Sequence, residues 1–258
     1  MKKIITLSLM GAVLATGHAQ ARDYDTVRIG VDIPYVPMEY RTPDGTLTGF
    51  DIDLGNALCK QAELDCKWVI QGWDGIIPGL QARKFDAIMS SMTINDDRKK
   101  QILFSDPYMT PPSAWFTPKD STISSPNEES LKGKSIGVQR GTVQDNYVTD
   151  HYGSNASIKR YATADDVAID MEAGRLDIAF LDYPTGKAAL VDSKSGQFKT
   201  VGDMLTEPKK YFGEGFGIAF RKRDRELAET FNKALAELKD NGTYNTLYTK
   251  YFPDAKTE

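Results

Sequence analysis

Arg98 follows the run Ser90-Ser91-Met92-Thr93 by five residues. A guanidinium is a planar fork of donors that can hold a carboxylate through two parallel hydrogen bonds, and neighbouring hydroxyls add donors for the same anion. A helix beginning near Asn95 would hold Arg98 over the serines and threonine. The stretch Asp96-Asp97-Arg98-Lys99-Lys100 would equally suit an ordinary exposed arginine. Asp182 ends an apolar run, where its carboxylate could accept from an ammonium group or simply cap the helix after Pro184. Asp32 ends another apolar run, with Tyr35 just beyond it, and Trp73 precedes a short helical stretch. Aromatic residues so situated are commonly core, but two flanking a cleft can clamp an aliphatic or cationic side chain.

Catalytic chemistry has less support. Asp32, Glu39 and Asp182 can be imagined as an acid/base set, but spacing says nothing of their mutual distance. Beyond the leader there is one histidine, His151, and there is no G-x-S-x-G elbow, so triad hydrolysis is not supported. No H-E-x-x-H motif and no Cys/His cluster are present, so neither a metal nor a cofactor is expected. Gly213-x-Gly215-x-Gly217 lacks the third glycine at dinucleotide-loop spacing and a following helix, and fits a strand crossing between lobes instead.

The elements that must position these groups alternate between strand and helix, which argues for α/β layers with mostly parallel strands. "TVRIGVD" is a strand, "FDIDLGNALCKQAE" a helix for which Asp51 is a plausible N-cap, "CKWVIQ" a strand, and "GIIPGLQARK" a short helix feeding the strand "DAIMS". The same grammar returns later: "KSIGVQRGT" shares Ile-Gly-Val with "VRIGVDIPY", and "AGRLDIAFLD" resembles "QARKFDAIMSS" in its arginine, apolar residue and aspartate before a strand. Two similar lobes follow, the second starting near Pro111. After it, Tyr211 to Phe220 has the pattern of a glycine-punctuated strand. Leu227, Phe231, Leu235 and Leu238 then mark one face of an amphipathic helix ended by Asn241-Gly242. Ligands in open α/β sheets gather at the carboxyl ends of strands. That rule selects residues 32–35, 90–93, 139–144 and Asp182.

Composition narrows the class. Met1-Lys2-Lys3, an apolar run from Ile4 to Ala15 and Ala19-Gln20-Ala21 form a secretory leader cleaved after Ala21; the run is too short for a spanning anchor. The 32 basic residues fall to 30 on losing Lys2 and Lys3, against 36 acidic ones. The net negative charge argues against nucleic acid as a partner. In an exported chain Cys59 and Cys66 read as a disulfide, with two reduced thiols as the alternative.

"GFDIDLGNALCKQAELDCKW", "WDGIIPGLQARKFDAIMSSMTINDDRKKQILFSDPY", "LKGKSIGVQRGTVQ", "AGRLDIAFLDY" and "KKYFGEGFGIAFRK" together resemble the periplasmic polar amino-acid-binding proteins of ABC importers, solute-binding protein family 3. The resemblance is strongest to the lysine/arginine/ornithine- and histidine-binding proteins and covers essentially the whole chain after the leader. It implies the two-lobed periplasmic binding protein fold (type II), with two hinge strands and the ligand cleft between lobes. Lobe 1 would comprise residues 22–110 and 214–258, and lobe 2 residues 111–213. It further implies that Arg98 and Thr93 hold an α-carboxylate, Asp182 and Ser91 an α-ammonium, and Asp32 and Ser90 a distal cation. Tyr35 and Trp73 would sandwich the ligand's stem, and Gln144 would contribute from a helix N-terminus. Trp73 stands where those binders have a smaller residue, Gln139 replaces an aliphatic one, and Val143 stands where threonine is usual.

The implied function is capture of a cationic L-amino acid by a freely diffusing monomer and delivery to an inner-membrane permease. With a zwitterion bound, Asp32 would remain unpaired unless the ligand were cationic, and an unpaired buried charge costs several kcal/mol. Arg140 could neutralise Asp32 instead, and a neutral ligand such as glutamine would then be tolerated. An opine built on arginine, or a dehydratase-like enzyme on the same fold acting on a cyclic prephenate-like acid, are the remaining alternatives. A sensor ectodomain is disfavoured by the absence of a transmembrane or signalling segment before Glu258.

Overall fold

The computed structural model describes residues 26–193 and 196–254, so the expected leader lies outside the described residues. The β-branched run after Thr26 forms β1 (Val27–Val31), followed by a small hairpin of β2 (Tyr40–Arg41) and β3 (Leu47–Thr48). Next come α1 (Phe50–Gln61), β4 (Cys66–Ile70), α2 (Ile76–Gln81), β5 (Ala87–Ile88), α3 (Asp96–Lys99) and β6 (Leu103–Phe104). The middle of the chain forms β7 (Ser113–Pro118), β8 (Ser135–Gln139), α4 (Val143–Tyr152), β9 (Ser157–Tyr161) and α5 (Ala164–Glu172). It continues through β10 (Ile178–Asp182), α6 (Tyr183–Gly186), β11 (Phe198–Leu205) and α7 (Lys209–Phe212), then returns with β12 (Ala219–Phe220), α8 (Arg225–Asp240) and α9 (Thr243–Tyr251).

Two five-stranded sheets result, each the centre of one lobe. The first has the order β4-β1-β5-β12-β6, with β1 parallel to β4 and β5 and the returning β12 antiparallel to its neighbours. The second has the order β11-β7-β10-β8-β9, with β8 parallel to β9 and β10, and β7 antiparallel to β10 and β11.

The repeated grammar has a structural counterpart. Gly30 in β1 lies under the Phe85 ring and Gly137 in β8 under Leu176; a Cβ would come within 2.6 Å and 2.5 Å of those side chains. In each lobe the aspartate after that apolar residue ties the start of the strand. Asp86 accepts from the Arg28 backbone N–H at 3.2 Å, and Asp177 from that of Ser135 at 2.8 Å.

Helices cover both faces of each sheet. In the first lobe, Phe50 of α1 is surrounded by the rings of Tyr108, Tyr244, Tyr248, Tyr251 and Phe252, with centroids 5.3–6.4 Å away. Leu227, Phe231, Leu235 and Leu238 of α8 are buried as their spacing predicts. In the second lobe Trp115 stacks on Phe180 at 4.3 Å beneath α4.

Two expectations are corrected. Asp51 does not cap α1: Gly49 occupies the cap position, and the Asp51 carboxylate turns inward to Ser91 and Tyr108. Tyr211 to Phe220 is not one strand. Tyr211 and Phe212 end α7, β12 is short, and Phe216 pairs with Thr93 and Met109 where the two inter-sheet passages lie side by side. Glycine is required at this crossing, because Gly213 and Gly215 have φ of +60° and +112° and a Cβ would come within 1.9 Å of the Ile94 carbonyl and 2.5 Å of that of Met109.

Cys59 near the end of α1 and Cys66 at the start of β4 form a disulfide. Closing so short a loop restricts the unfolded chain, so the C59S/C66S variant is expected to lose about 2–3 kcal/mol of stability. The check is the denaturant midpoint; coincident midpoints for variant and parent would contradict it.

Candidate ligand-binding site

The polar residues at the strand ends converge because β1, β5, β8 and β10 all end toward the space between the sheets. Asp32 follows β1, Ser90, Ser91 and Thr93 follow β5, Gln139 closes β8, and Asp182 closes β10. Tyr35, Trp73, Arg98, Val143 and Gln144 join them around one cleft, together with Glu39 and Thr142.

Arg98 is set by a local cap. The Asn95 side chain accepts from the Arg98 backbone N–H at 3.0 Å, fixing the start of α3, and Arg98 folds back to donate to the Thr93 carbonyl at 3.0 Å. Its guanidinium lies 5.2 Å from the centre of the Trp73 ring. It is therefore buried and not the exposed arginine that its charged neighbourhood would suit. Burial lowers its pKa to about 10, opposed by the charge of Asp182 nearby.

Asp182 occupies the cap position of α6 but makes no capping bond. Its carboxylate accepts from Tyr35 Oη at 2.6 Å and from Gln144 Nε2 at 2.7 Å, and Gln144 also donates to Ser113 Oγ at 2.7 Å. Burial still raises Asp182 to about 6, against the lowering effect of those donors and of Arg98. Val143 opens α4 behind the cap made by Thr142, whose Oγ1 accepts from the Asp145 N–H.

Asp32 is the most exposed to consequence. Its backbone N–H donates to Ser90 Oγ at 2.9 Å, and its Oδ2 accepts from Gln139 Nε2 at 3.1 Å. Burial lifts it to about 6, with Gln139 and the Trp73 backbone amide lowering it and Asp74 raising it. Arg140 does not reach it: the guanidinium pairs with Asp74 through Nε at 2.9 Å, and Trp73 Nε1 donates to the neighbouring Gly141 carbonyl at 3.3 Å. Among the described residues, no Lys, Arg or His forms an ion pair with Asp32.

Contacts from Tyr35 to Asp182, Gln139 to Asp32, Trp73 to Gly141 and Arg140 to Asp74 therefore tie the lobes across the cleft. Chemically the cleft offers a buried cation and three carboxyl groups, those of Asp32, Glu39 and Asp182, together with hydroxyl and amide groups. Among the described residues, no group of three or more His, Cys, Asp or Glu could hold a metal ion. Thr142 falls within the stretch 139–144 that the strand-end rule selects, but spacing alone assigned it no role of its own, although Thr142-x-x-Asp145 is a readable cap pattern. Glu39 was visible only as one member of an imagined acid/base set, since nothing in its spacing marks it as cleft-lining.

Similarity to known proteins agrees with this architecture. The L-arginine-binding protein of Pseudomonas aeruginosa is 40% identical over 254 residues, covering 98% of this chain and 97% of that one. The lysine/arginine/ornithine-binding periplasmic protein of Escherichia coli K12 is 40% identical over 252 residues, covering 97% and 96%. The solved structure of an ancestral arginine-binding protein bound to arginine superposes with a TM-score of 0.81 at 35% identity, covering 89% of this chain and 99% of that one. Residues 27–254 match the bacterial extracellular solute-binding proteins, family 3, and with relatives aligned along almost their whole length the chain belongs to that family.

Proposed function

We propose that this protein captures a cationic L-amino acid, namely arginine, lysine, ornithine or histidine, in the periplasm and presents it to an inner-membrane ABC permease without altering it chemically. The chain would be exported, cleaved after Ala21 and act as a monomer. In this reading residues 22–110 with 214–258 form one lobe and residues 111–213 the other. Arg98 and Thr93 take the α-carboxylate, Asp182 and Ser91 the α-ammonium, and Asp32 and Ser90 the distal cation. Tyr35 and Trp73 flank the stem, and Gln139, Val143 and Gln144 complete the wall. The relatives named for arginine and for lysine, arginine and ornithine support the ligand class.

One observation carries the choice of a cation. Arg140 is engaged by Asp74, so the Asp32 carboxylate is held only by amide donors, Gln139 Nε2 and the Trp73 backbone N–H, with no cation paired to it among the described residues. A ligand guanidinium or ammonium supplies the missing partner, and glutamine does not. A ligand touching both lobes favours the closed arrangement, because only that arrangement offers it Arg98, Asp32 and Asp182 together.

The test is thermal unfolding of protein stripped by unfolding and refolding, against arginine, lysine, ornithine, histidine, glutamine, glutamate, an arginine-derived opine and prephenate. A ligand at about 100 times its Kd adds roughly 2.7 kcal/mol, which for a domain of this size is about 5–10 °C. A rise with the basic amino acids alone is expected. A rise confined to glutamine or prephenate would overturn the cationic reading or the binding reading itself.

Binding should also depend on pH. A ligand cation prefers ionised carboxylates, and both Asp32 and Asp182 have pKa values of about 6 without ligand. Arginine itself keeps its charges between pH 5 and 7, so its affinity is expected to fall on acidification, by about tenfold per carboxylate at pH 5. Glutamine, if it binds weakly, should lose only the Asp182 step. Calorimetric titration at pH 7 and pH 5 checks this; an arginine affinity that rises on acidification would contradict it.

A further inference from the structure

Two more carboxyl groups stand behind the serine loop, and the proposed ligand contacts use neither. Glu39 comes from a turn in which its carbonyl accepts from the Tyr35 N–H at 2.7 Å, and Asp51 from the first turn of α1. Glu39 is 1% exposed and Asp51 fully buried. Asp51 Oδ2 accepts from the Ser91 N–H at 2.7 Å and from Tyr108 Oη at 2.8 Å. Its other oxygen, Oδ1, is enclosed, and no N–H or hydroxyl donor reaches it.

The Glu39 and Asp51 carboxyls are immediate neighbours, with Ser91 Oγ 3.5 Å from Glu39 Oε2 and 3.4 Å from Asp51 Oδ2, and two buried carboxyls sharing one site cannot both stay ionised, so one of them carries a proton. Glu39 is the natural carrier. Asp51 has two short bonds stabilising its charge, whereas Glu39 receives one short bond, from Ser90 Oγ at 2.7 Å, and a long contact of 3.5 Å from Ser91 Oγ. Glu39 also faces the negative charge of Asp32. Burial raises both groups, Asp51 to about 6 and Glu39 well beyond the carboxylate range, with Tyr35 and Tyr108 the other titratable groups against the pair.

The direction of the Ser90 bond then has a consequence for the cleft. A serine hydroxyl has one hydrogen and two lone pairs. The hydrogen goes to Glu39 and one lone pair receives the Asp32 N–H. What remains is a lone pair, which accepts from an N–H and repels a carbonyl oxygen. We propose that Glu39 is a neutral acid at pH 7, donating to Asp51 and holding the Ser90 hydrogen, so that Ser90 meets the ligand only as an acceptor and Glu39 is a positioning residue that selects hydrogen-donating, cationic side chains. The selectivity half rests on the reading of Ser90 as a contact of the distal ligand group.

The neutral-acid geometry is reproduced by Glu39→Gln, whose amide can donate to Asp51 while its carbonyl accepts from Ser90. Glu39→Met keeps the length but releases the Ser90 hydrogen. The probe is the arginine-to-citrulline affinity ratio, since citrulline has the same shape with a ureido oxygen at its end. The ratio should stay within about threefold of the parent in Glu39→Gln and fall about tenfold or more in Glu39→Met, the loss expected for one hydrogen bond to a charged group. Infrared spectra of ligand-free parent at pH 7 should show the carbonyl stretch of a protonated carboxyl that Glu39→Gln removes, a readout that stands even where Glu39→Met fails to fold. Loss of the ratio in Glu39→Gln would overturn the proposal, because an ionised Glu39 would then be what is needed; so would the absence of that infrared band. Parent protein that binds no basic amino acid would instead overturn the functional reading and the selectivity half with it, leaving the infrared band to decide the proton.

Discussion

Replacing Arg98 with alanine is expected to weaken every α-amino acid ligand by about a hundredfold or more, whatever its side chain. The guanidinium is held ready by the Asn95 cap, the Thr93 carbonyl and the face of Trp73, so little ordering remains to be done when a carboxylate arrives. Truncation would leave that carboxylate buried without a partner, a loss of about 3–5 kcal/mol. It would also remove the nearest positive charge from Asp182, whose carboxyl burial already raises to about 6, and so weaken the ammonium end as well. Arg98→Lys restores the charge but not the two-pronged fork and should recover only part of the affinity. Titration calorimetry of the stripped variants with arginine, lysine and glutamine is the check. Unchanged affinity for any one of them would remove Arg98 from the carboxylate role.

Why Arg98 was legible in the sequence, and what was not, follows from the range of the interactions involved. Asn95 capping Arg98 is a contact three residues apart, and β1, β5, β8 and β10 announce themselves by apolar runs that stop at polar residues. The local pattern therefore placed Asp32, the serine loop, Gln139 and Asp182 at strand ends, and the α/β rule brought them to one side. Partner choice across the cleft is another matter. Arg140 precedes Gly141 in a loop that meets Asp74 from the other lobe, and nothing in either local sequence selects Asp74 over Asp32. Asp51 shows the same limit in reverse: its position suited a helix cap, but the side chain serves Ser91 and Tyr108, 40 and 57 residues away. Gly213 and Gly215 looked like punctuation in a strand because the sequence could not show the backbone of residues 94 and 109 pressed against them.

The contrast between Arg140 and Asp32 also yields the sharpest expected result. Asp32→Asn should reduce affinity for arginine and lysine by about a hundredfold or more, the cost of losing a buried charge-assisted pair, while changing glutamine by only a few-fold. The same variant should be more stable than its parent when ligand-free. Asp32 is raised from 3.8 to about 6 in the folded protein, so its ionisation at pH 7 opposes folding by about 3 kcal/mol. Asparagine carries no charge and can still accept from Gln139, so that penalty disappears. The sign fixes the pH window: the stability gained should be full above about pH 6 and vanish below about pH 4, where Asp32 would be protonated in both the folded and unfolded parent. A ligand-free melting temperature that rises while arginine affinity falls cannot come from general damage to the fold, which would lower both. Equal losses for arginine and glutamine, or a lowered melting temperature at pH 7, would mean that Asp32 is a structural acceptor for Gln139 and that the distal cation is recognised elsewhere.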